Sequence, residues 1–252
     1  MSDQLSTSTY DAATLLQDMR NELQPLLQRI TTHRYLQALE EGRVPSDSLK
    51  TLASQQYHIV SRAIQNIALL LSRYGNQPSR KKLNDFLQAE FAVNEALLTF
   101  ARAIGLSEAD LQNAPKLPEA LMFSYYEAFL CLYGTDADLI TAFYFDAQVW
   151  IANALRVSRA LQKHYGLSRE DVRFFEMYAN YQPHDDEVLP FIQAALDRGT
   201  SLGDCPGCKP DEANLQLALN RGVTASQIRE STRLLLEYEW HFWEAMAKEA
   251  GV

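Results

Sequence analysis

The stretch LITAFYFDAQVWIANAL, residues 139–155, is apolar on nearly every side of a helix. The stretch ALMFSYYEAFLCLYG, residues 120–134, has the same character. Helices that are hydrophobic all round belong in the middle of a bundle, so these two stretches predict a helical core. An isolated polar side chain there is costly unless it is hydrogen-bonded, binds a metal or faces a cavity. Four residues need such an explanation: Glu127, Asp146, Gln148 and Asn153.

Three residues of the first stretch, Asp146, Trp150 and Asn153, are spaced to share one helical face. One interpretation is a network of hydrogen bonds between helices. The other is a ligand pocket, because helical bundles build their ligand sites from polar side chains that project into the core. The pattern leaves both interpretations open.

The rest of the chain repeats apolar residues at helical spacing, and no stretch has the convincing alternation of a strand. The predicted helices cover Leu15 to Leu27, Pro45 to Gly75, a stretch ending at Gly105, and roughly 117–133, 135–165, 168–181, 186–198, 211–220 and 224–249. Four helix starts carry a hydroxyl residue with an acid or amide three positions later: Ser107, Thr135, Ser168 and Thr224. The joints are mostly short, which favours one all-α domain over residues 1–252 with a flexible start over residues 1–10.

The overall charge limits the classes of partner. The chain of 252 residues has 23 Lys and Arg against 32 Asp and Glu, a net charge of −9. Such an acidic surface repels phosphate backbones, so we expect no nucleic-acid partner. No apolar run is long enough to cross a bilayer, and the polar N-terminus does not resemble a signal peptide. We therefore expect a cytoplasmic protein without a membrane partner.

The three cysteines do not form a disulfide framework. Cys131 lies in an apolar stretch and is predicted to be a small buried hydrophobe. Cys205 and Cys208 form a lone CxxC without the further ligands of a structural zinc site. We interpret them as two loop thiols that can pair when oxidised.

The stretch EYEWHFWEAM, residues 237–246, lies near the end of the sequence, and in it Glu239 precedes an adjacent Phe242–Trp243 pair by three residues. If Glu239 points into an apolar cavity, desolvation raises the pKa of its carboxyl group, which suits general acid–base catalysis. The alternative is a surface carboxylate that pairs with Arg233 or Lys248, worth a fraction of a kcal/mol.

The order of these segments resembles the TenA/PqqC group of the heme-oxygenase-like superfamily. Four segments carry the resemblance: THRYLQALEEGRVPSDSLKTLASQQYHIV at 32–60, LQAEFAVNEALLTFARAIGL at 87–106, DVRFFEMYANYQP at 171–183, and Glu239-x-x-Phe242-Trp243. The resemblance implies a single-domain, all-α helical bundle with a small-molecule pocket at its centre. It also places Glu239 at that pocket, and for this reason we favour the acid–base interpretation.

Three chemistries are associated with this resemblance. The thiaminase II branch hydrolyses aminopyrimidines with a Cys nucleophile, a Glu and an Asp. The Glu is present as Glu239, but the Asp position is Gln56 and the nucleophile region is Phe145-Asp146-Ala147. A hydrolase that needs a thiolate cannot work without one, so this activity is disfavoured.

The CADD-like branch binds two irons. In this comparison Glu90 is the first acid ligand and Asp146 the middle one, but no histidine follows Glu90 on its helix. The closing His, Asp and His positions hold Tyr178, Gln182 and Asp185, and His184 could supply one ligand only if the helix bends at Pro183. Oxygen-activating iron sites usually combine imidazole with carboxylate, so a normal di-iron centre is disfavoured and iron remains an alternative.

The PqqC branch is a cofactor-free oxidase whose pocket polarises an oxidisable substrate. Its chemistry could be supplied here by Tyr57, His58, Arg62, Tyr178 and His184. Against this, His58, Arg62 and Gln65 lie on one helical face, for which we favour the interpretation of a solvated stripe opposite the apolar one.

These comparisons lead to one main hypothesis, an oxidative enzyme of PqqC or CADD type acting on a small aromatic or heterocyclic substrate. The expected catalytic residues are Glu239, Tyr178, Asp146 and Tyr57. The expected substrate-binding residues are Gln56, His58, Gln182, Trp150 and Phe242. The alternatives are a non-catalytic ligand-binding or regulatory protein, and a thiamin-pyrimidine hydrolase with an altered nucleophile. We expect a small-molecule ligand and a homodimer or homotetramer.

Overall fold

The computed structural model describes residues 11–200 and 210–252, and within these ranges the chain forms ten α-helices and no strand. The helices are α1 (Ala12–Thr31), α2 (Arg34–Glu40), α3 (Ser48–Tyr74), α4 (Arg80–Ala103), α5 (Glu108–Asn113), α6 (Pro118–Tyr133), α7 (Asp136–His164), α8 (Arg173–Glu176), α9 (Leu189–Thr200) and α10 (Pro210–Ala250). A single 3-10 turn, Asp185–Glu187, precedes α9. The prediction of an all-α fold is confirmed. The expected flexible start and the Cys205/Cys208 pair lie outside the described residues.

Two of the predicted caps form complete capping boxes. Ser107 accepts a hydrogen bond from the Asp110 amide (3.2 Å), and the Asp110 carboxylate accepts one from the Ser107 amide (2.8 Å). Thr135 and Asp138 exchange the same bonds at the start of α7. Each box satisfies amides that a helix N-terminus leaves without an intrahelical partner, so these starts follow from the local sequence.

The predicted helix over 168–181 is wrong. Ser168 and Asp171 do exchange capping bonds, but only the single turn α8 follows them. The chain then runs irregularly to the 3-10 turn, and Gln182 precedes Pro183, a position at which the helical conformation is disfavoured.

The predicted break between 220 and 224 is also wrong, because α10 runs through it as one helix. Thr224 is therefore not a cap. Ala225 and Ile228 on the next turn are fully buried, so continuing the helix brings apolar side chains into the core. That burial outweighs Gly222, which costs a helix about 1 kcal/mol relative to alanine.

The core helices differ in how completely they are covered. Buried side chains from Ala12 to Ala250 form one hydrophobic cluster, to which α7 contributes buried residues along most of its length, from Ala137 to Leu161. By contrast, α6 leaves one aromatic face open to solvent, with exposed fractions between 49% and 75% at Tyr125, Phe129, Leu132 and Tyr133. An all-round apolar composition thus predicted burial correctly for α7 and only in part for α6.

Cys131 is fully buried on α6, as predicted, and burial raises the pKa of its thiol. In the described parts of the chain, no helix combines the length and the apolar character that crossing a membrane requires.

Candidate functional site

A cavity of about 380 Å³ lies between α3, α4, α6, α7 and α10, and the irregular segment after α8 also contributes to its lining. Its walls are mainly aromatic and aliphatic side chains, including Phe86, Phe123, Phe143, Trp150 and Phe174. Four of its carboxyl groups come from four different helices and have a pKa that burial raises: Glu90, Glu127, Asp146 and Glu239. An apolar pocket with a few convergent polar groups is the usual form of a small-molecule site.

Glu239 lies on α10 and is 5% exposed. Its carboxylate accepts a hydrogen bond from Trp243 Nε1 at 2.8 Å, one helical turn further on. Burial raises the pKa of Glu239 well above its usual value, the nearby Asp146 charge raises it further, and the Trp243 bond partly offsets the rise. The surface alternative is excluded, because Arg233 is exposed and Lys248 instead lies 3.5 Å from Glu119.

Trp243 is held in turn by aromatic neighbours. It is fully buried. Its ring stacks on that of Trp150, with centroids 6.1 Å apart, and lies tilted against that of Tyr35 at 6.0 Å. Trp150 lines the cavity, so Trp243 connects the aromatic wall to the Glu239 carboxyl group. The spacing of Glu239 and Trp243 therefore places the acid and its hydrogen-bond donor on one face of α10.

Asp146 supplies a second carboxyl group close to Glu239. It lines the cavity one turn before Trp150, and its Oδ1 atom is buried without a hydrogen-bond partner. Burial raises the pKa of Asp146, and the charge of Asp146 in turn raises the pKa of Glu239. Two interacting buried acids release their protons in two separate steps, so the pair holds a proton where free carboxyl groups would have lost it.

The other two polar residues of α7 are explained differently. Asn153 is fully buried, faces α1, and donates a hydrogen bond to the Ile30 carbonyl at 3.4 Å. Gln148 is exposed and bonds to the Tyr144 carbonyl of its own helix. The network interpretation thus applies to Asn153 and the cavity interpretation to Asp146.

Glu127 is the residue that the sequence marked as unusual without assigning it to the site. It is 1% exposed on α6, lines the cavity, and has no hydrogen-bond partner on either carboxyl oxygen. Burial raises the pKa of Glu127 well above its usual value, and the charges of Glu90 and Asp146 add to the rise. Asn66 lies near enough to oppose the rise, but its Nδ2 atom makes no hydrogen bond of normal geometry. In the sequence, the signal that could have identified Glu127 as a site residue is its position as a single acid in an apolar helix.

Glu90 and Tyr178 form the remaining acidic part of the wall. Burial raises the pKa of Glu90 to about 7. The pKa of the Tyr178 phenol is raised by burial and by the negative charge of Glu90. Glu95, a second acid on α4, is exposed and does not line the cavity.

The polar part of the lining joins the segment after α8 to α4 and α7. Glu187 accepts hydrogen bonds from Lys82 (2.5 Å) and Tyr181 (3.0 Å). Tyr144, which also lines the cavity, donates to Asp185 at 2.8 Å, and Arg20 pairs with the same carboxylate. The sequence did not predict the Lys82–Glu187 and Tyr144–Asp185 contacts, because the partners are far apart along the chain.

Two predicted residues on α3 need correction. Tyr57 does not line the cavity; its hydroxyl donates to Glu108 on α5 at 3.2 Å. His58 points the same way, with Nε2 3.2 Å from the Ala114 carbonyl. Gln56 does line the cavity, together with Val60 and Ala63 one and two turns later. Successive helical residues differ by about 100° in direction, so neighbours of Gln56 cannot share its face.

Three further predicted residues also lie away from the cavity. Gln182 and His184 are exposed, because the expected helix ends at Glu176 and the chain carries them outwards. Phe242 is buried in the core, where its ring packs edge-on against Trp243 at 5.1 Å. Of the expected set, the cavity brings together Gln56, Glu90, Asp146, Trp150, Tyr178 and Glu239.

The donor set does not fit an imidazole–carboxylate iron centre. None of the histidines at 33, 58, 164, 184 and 241 lines the cavity. Among the side chains that the structure describes, in residues 11–198 and 222–252, no three of His, Cys, Asp or Glu are grouped to hold a metal ion. His184, proposed above as a replacement ligand, is exposed.

We predict that the purified protein holds less than one iron per chain, because imidazole ligands are replaced by carboxyl and phenol groups. Elemental analysis of protein isolated without added metal measures this directly. Two irons per chain that are lost together in Glu90→Ala would contradict the prediction.

Comparison with known proteins places these features in context. The sequence model described as the TENA/THI-4/PQQC family matches residues 20–179. No curated protein matches the chain. A TenA homolog from Pseudomonas syringae pv. tomato is 17% identical, with a TM-score of 0.71 and 98% of each chain covered.

Two further solved structures are similar. A TenA homologue from Pyrococcus furiosus is 15% identical, with a TM-score of 0.65, covering 92% of this chain and 99% of that one. A domain of unknown function with a heme oxygenase-like fold, from Shewanella denitrificans, is 16% identical with a TM-score of 0.56 and 97% of each chain covered. At these identities the likeness shows the fold alone: an all-α bundle of the heme oxygenase-like type.

Proposed function

Because this chain belongs to the TENA/THI-4/PQQC family, we propose that it is an enzyme that converts a small aromatic or heterocyclic compound in the cavity. The observation that carries the proposal is a pair of carboxyl groups, half-buried Asp146 and buried Glu239, which line an aromatic-walled space of about 380 Å³. That volume lies in the range of small-molecule sites. The aromatic walls favour a flat, unsaturated ligand, since ring pairs gain energy beyond their buried area.

The pair is suited to acid–base catalysis. Burial raises the pKa of both groups, and the charge of Asp146 raises the pKa of Glu239 further, so Glu239 keeps its proton at a pH where Asp146 ionises. The ionised group accepts a proton from the substrate, and the protonated group donates to the atom where negative charge develops. Trp243 Nε1 holds one Glu239 oxygen at 2.8 Å and so orients the carboxyl group.

The reaction that we propose first is oxidation by molecular oxygen. A carboxylate accepts one proton from the substrate, and the resulting electron-rich anion transfers two electrons to O2. The oxidised substrate gives up a second proton, so O2 receives both protons and both electrons and leaves as hydrogen peroxide. Thiol-dependent hydrolysis is less well supported, since Cys131 is buried outside the cavity and burial raises the pKa of its thiol. In the described part of the chain, no cysteine lines the cavity.

A second candidate is hydrolysis without a thiolate. It is favoured by the position of Asp146, which stands in the region that the resemblance assigns to the thiaminase II nucleophile and has an unpartnered, buried Oδ1 atom. In this reaction one carboxylate activates water or attacks directly, and the partner acid protonates the leaving group.

A screen of small compounds separates these reactions. Aromatic amines, pyrimidines and amino acids are first tested for a rise in melting temperature, because a ligand that binds the native state stabilises it by mass action. Each hit is then incubated with the protein in air and under nitrogen, and the products are identified by mass spectrometry. Turnover that requires oxygen supports oxidation, and oxygen-independent turnover supports hydrolysis. Tight ligands recovered unchanged in both atmospheres would leave a binding protein and overturn the enzyme proposal.

A further inference from the structure

Glu127 has no part in the acid–base chemistry described above, yet it is the most completely buried acid of the cavity. It is 1% exposed, and neither carboxyl oxygen has a hydrogen-bond partner. Burying a carboxyl group without partners costs free energy, and such groups in native proteins usually mark a function or a bound molecule. The group lines the cavity, so its missing partner has room to bind.

The surroundings of Glu127 show what that partner must offer. Glu90 on α4 and Asp146 on α7 lie close enough for their charges to act on Glu127, and Asp146 Oδ1 is also buried without a partner. The other charged groups of the lining are Asp85, Glu187, Glu239 and Lys82. Lys82 is the one basic side chain among the lining residues, and it is already bound to Glu187. The acids around Glu127 therefore have no positive partner among the described lining residues.

We propose that Glu127, Glu90 and Asp146 form a binding site for the ammonium or amidinium group of a small organic cation. The apolar body of that ligand lies against Phe143 and Trp150, whose ring faces also attract a cation. This inference rests on the proposed function, because it takes the cavity as the substrate site, and it adds the chemical class of the ligand.

Donor and acceptor counting favours a cation over a neutral ligand. Three carboxyl groups, protonated or not, always present acceptor oxygens. A ligand with acceptors alone would leave those oxygens unpaired, whereas an ammonium group offers three N–H donors and brings the opposite charge. A protonated acid in the empty cavity gives up its proton when such a cation binds, so binding and proton release are coupled.

A bare metal ion fits these acids less well. Oxygen ligands must approach Ca²⁺ or Mg²⁺ within about 2.0–2.6 Å. No three acids of the described residues are grouped in that way. Charge-assisted hydrogen bonds to an ammonium group span about 2.7–2.9 Å and tolerate a wider spacing of the acids around the cation.

The test compares benzylamine, which is protonated at neutral pH, with benzyl alcohol, which has the same ring and reach but no charge. Isothermal titration calorimetry of the full chain should show at least about tenfold tighter binding of benzylamine, the effect of charged over neutral hydrogen bonds. Titrations in phosphate and in Tris, which differ in ionisation heat, should show protons released on binding. Glu127→Gln should reduce the preference about tenfold. Glu95→Gln, which changes an exposed acid outside the cavity, should leave it intact.

Several results would overturn the proposal. One is equal affinity of the wild-type protein for the two probes, without proton release. This measurement overturns the proposal by itself, so the test does not depend on whether Glu127→Gln folds. Stabilisation by Mn²⁺ that depends on Glu127, without binding of benzylamine, would make the site a metal site. The Glu239→Gln variant separates this inference from the proposed function: benzylamine preference that survives there while turnover is lost supports both. If the preference for benzylamine over benzyl alcohol is lost in Glu239→Gln and kept in Glu127→Gln, the cation binds at the acid–base pair and the proposed site is wrong.

Discussion

Glu239→Gln should lower the turnover of the cavity's substrate by about a hundredfold to ten-thousandfold, the usual contribution of a general acid or base. The amide keeps the size of the side chain and can still accept the hydrogen bond that Trp243 Nε1 donates at 2.8 Å. It cannot exchange a proton with the substrate or with Asp146. Binding should therefore change much less than the rate, because affinity depends on fit and on desolvated contacts.

The measurement is single-turnover kinetics with the substrate found by screening, which separates chemistry from binding and product release. Glu249→Gln is the matched control, since Glu249 is an exposed acid at the end of the same helix. Trp243→Phe should cause a smaller loss of turnover. The hydrogen bond from Trp243 lowers the pKa of Glu239, so its removal raises this pKa and should move the pH–rate profile towards higher pH. Unchanged turnover in Glu239→Gln would remove the acid–base role and leave a binding site.

The second large effect is on stability as a function of pH. Burial raises the pKa of Glu90 from 4.5 to about 7. Between these values the folded state binds a proton that the unfolded state has already released, so the free energy of unfolding falls as the pH rises through this window. A difference of this size lowers the free energy of unfolding by about 3 kcal/mol once the pH has risen above 7. The stabilising contribution of protonated Glu90 is complete below pH 4.5 and is lost above pH 7. Glu127, Asp146 and Glu239 act in the same direction.

Glu90→Gln should remove the share that Glu90 contributes. Urea unfolding of the wild-type protein at pH 5 and pH 8 gives the total loss, and the variant should lose about 2.5 kcal/mol less over the same interval. Glu95→Gln, an exposed acid on the same helix, should behave like the wild type. An equal loss in the wild type and in Glu90→Gln would show that Glu90 is ionised in the folded protein at neutral pH.

The sequence was most informative about features that a few neighbouring residues decide. Apolar spacing predicted the long helices, and the Ser107 and Thr135 caps marked two helix starts where reciprocal hydrogen bonds form. The same local signal failed at Thr224, because burial of Ala225 and Ile228 against the core continues α10 through that position. Local preference sets a helix start only where tertiary packing does not favour another arrangement.

The candidate site could be predicted only in part. Glu239, Asp146 and Trp150 were identified because the resemblance and the helical spacing pointed to them, and all three line the cavity. Glu127 was visible as a charge in an apolar helix, but its role depends on Glu90 and Asp146, which approach it from α4 and α7. Tyr57 was misplaced because nothing in its own stretch shows that Glu108 on α5 takes its hydroxyl.

By itself, the sequence determined the all-α class, most of the long helices and the choice of Glu239 as a candidate acid, since these depend on residues within one or two turns and on a motif in the chain. Only the tertiary structure decided which face of each helix meets the cavity. It also decided that four acids from four helices share one buried space, and that Lys82 is bound to Glu187 rather than to them. The physical reason is that the pKa of a buried acid depends on desolvation and on charges brought close by folding, and neither is encoded in the spacing of residues along one helix.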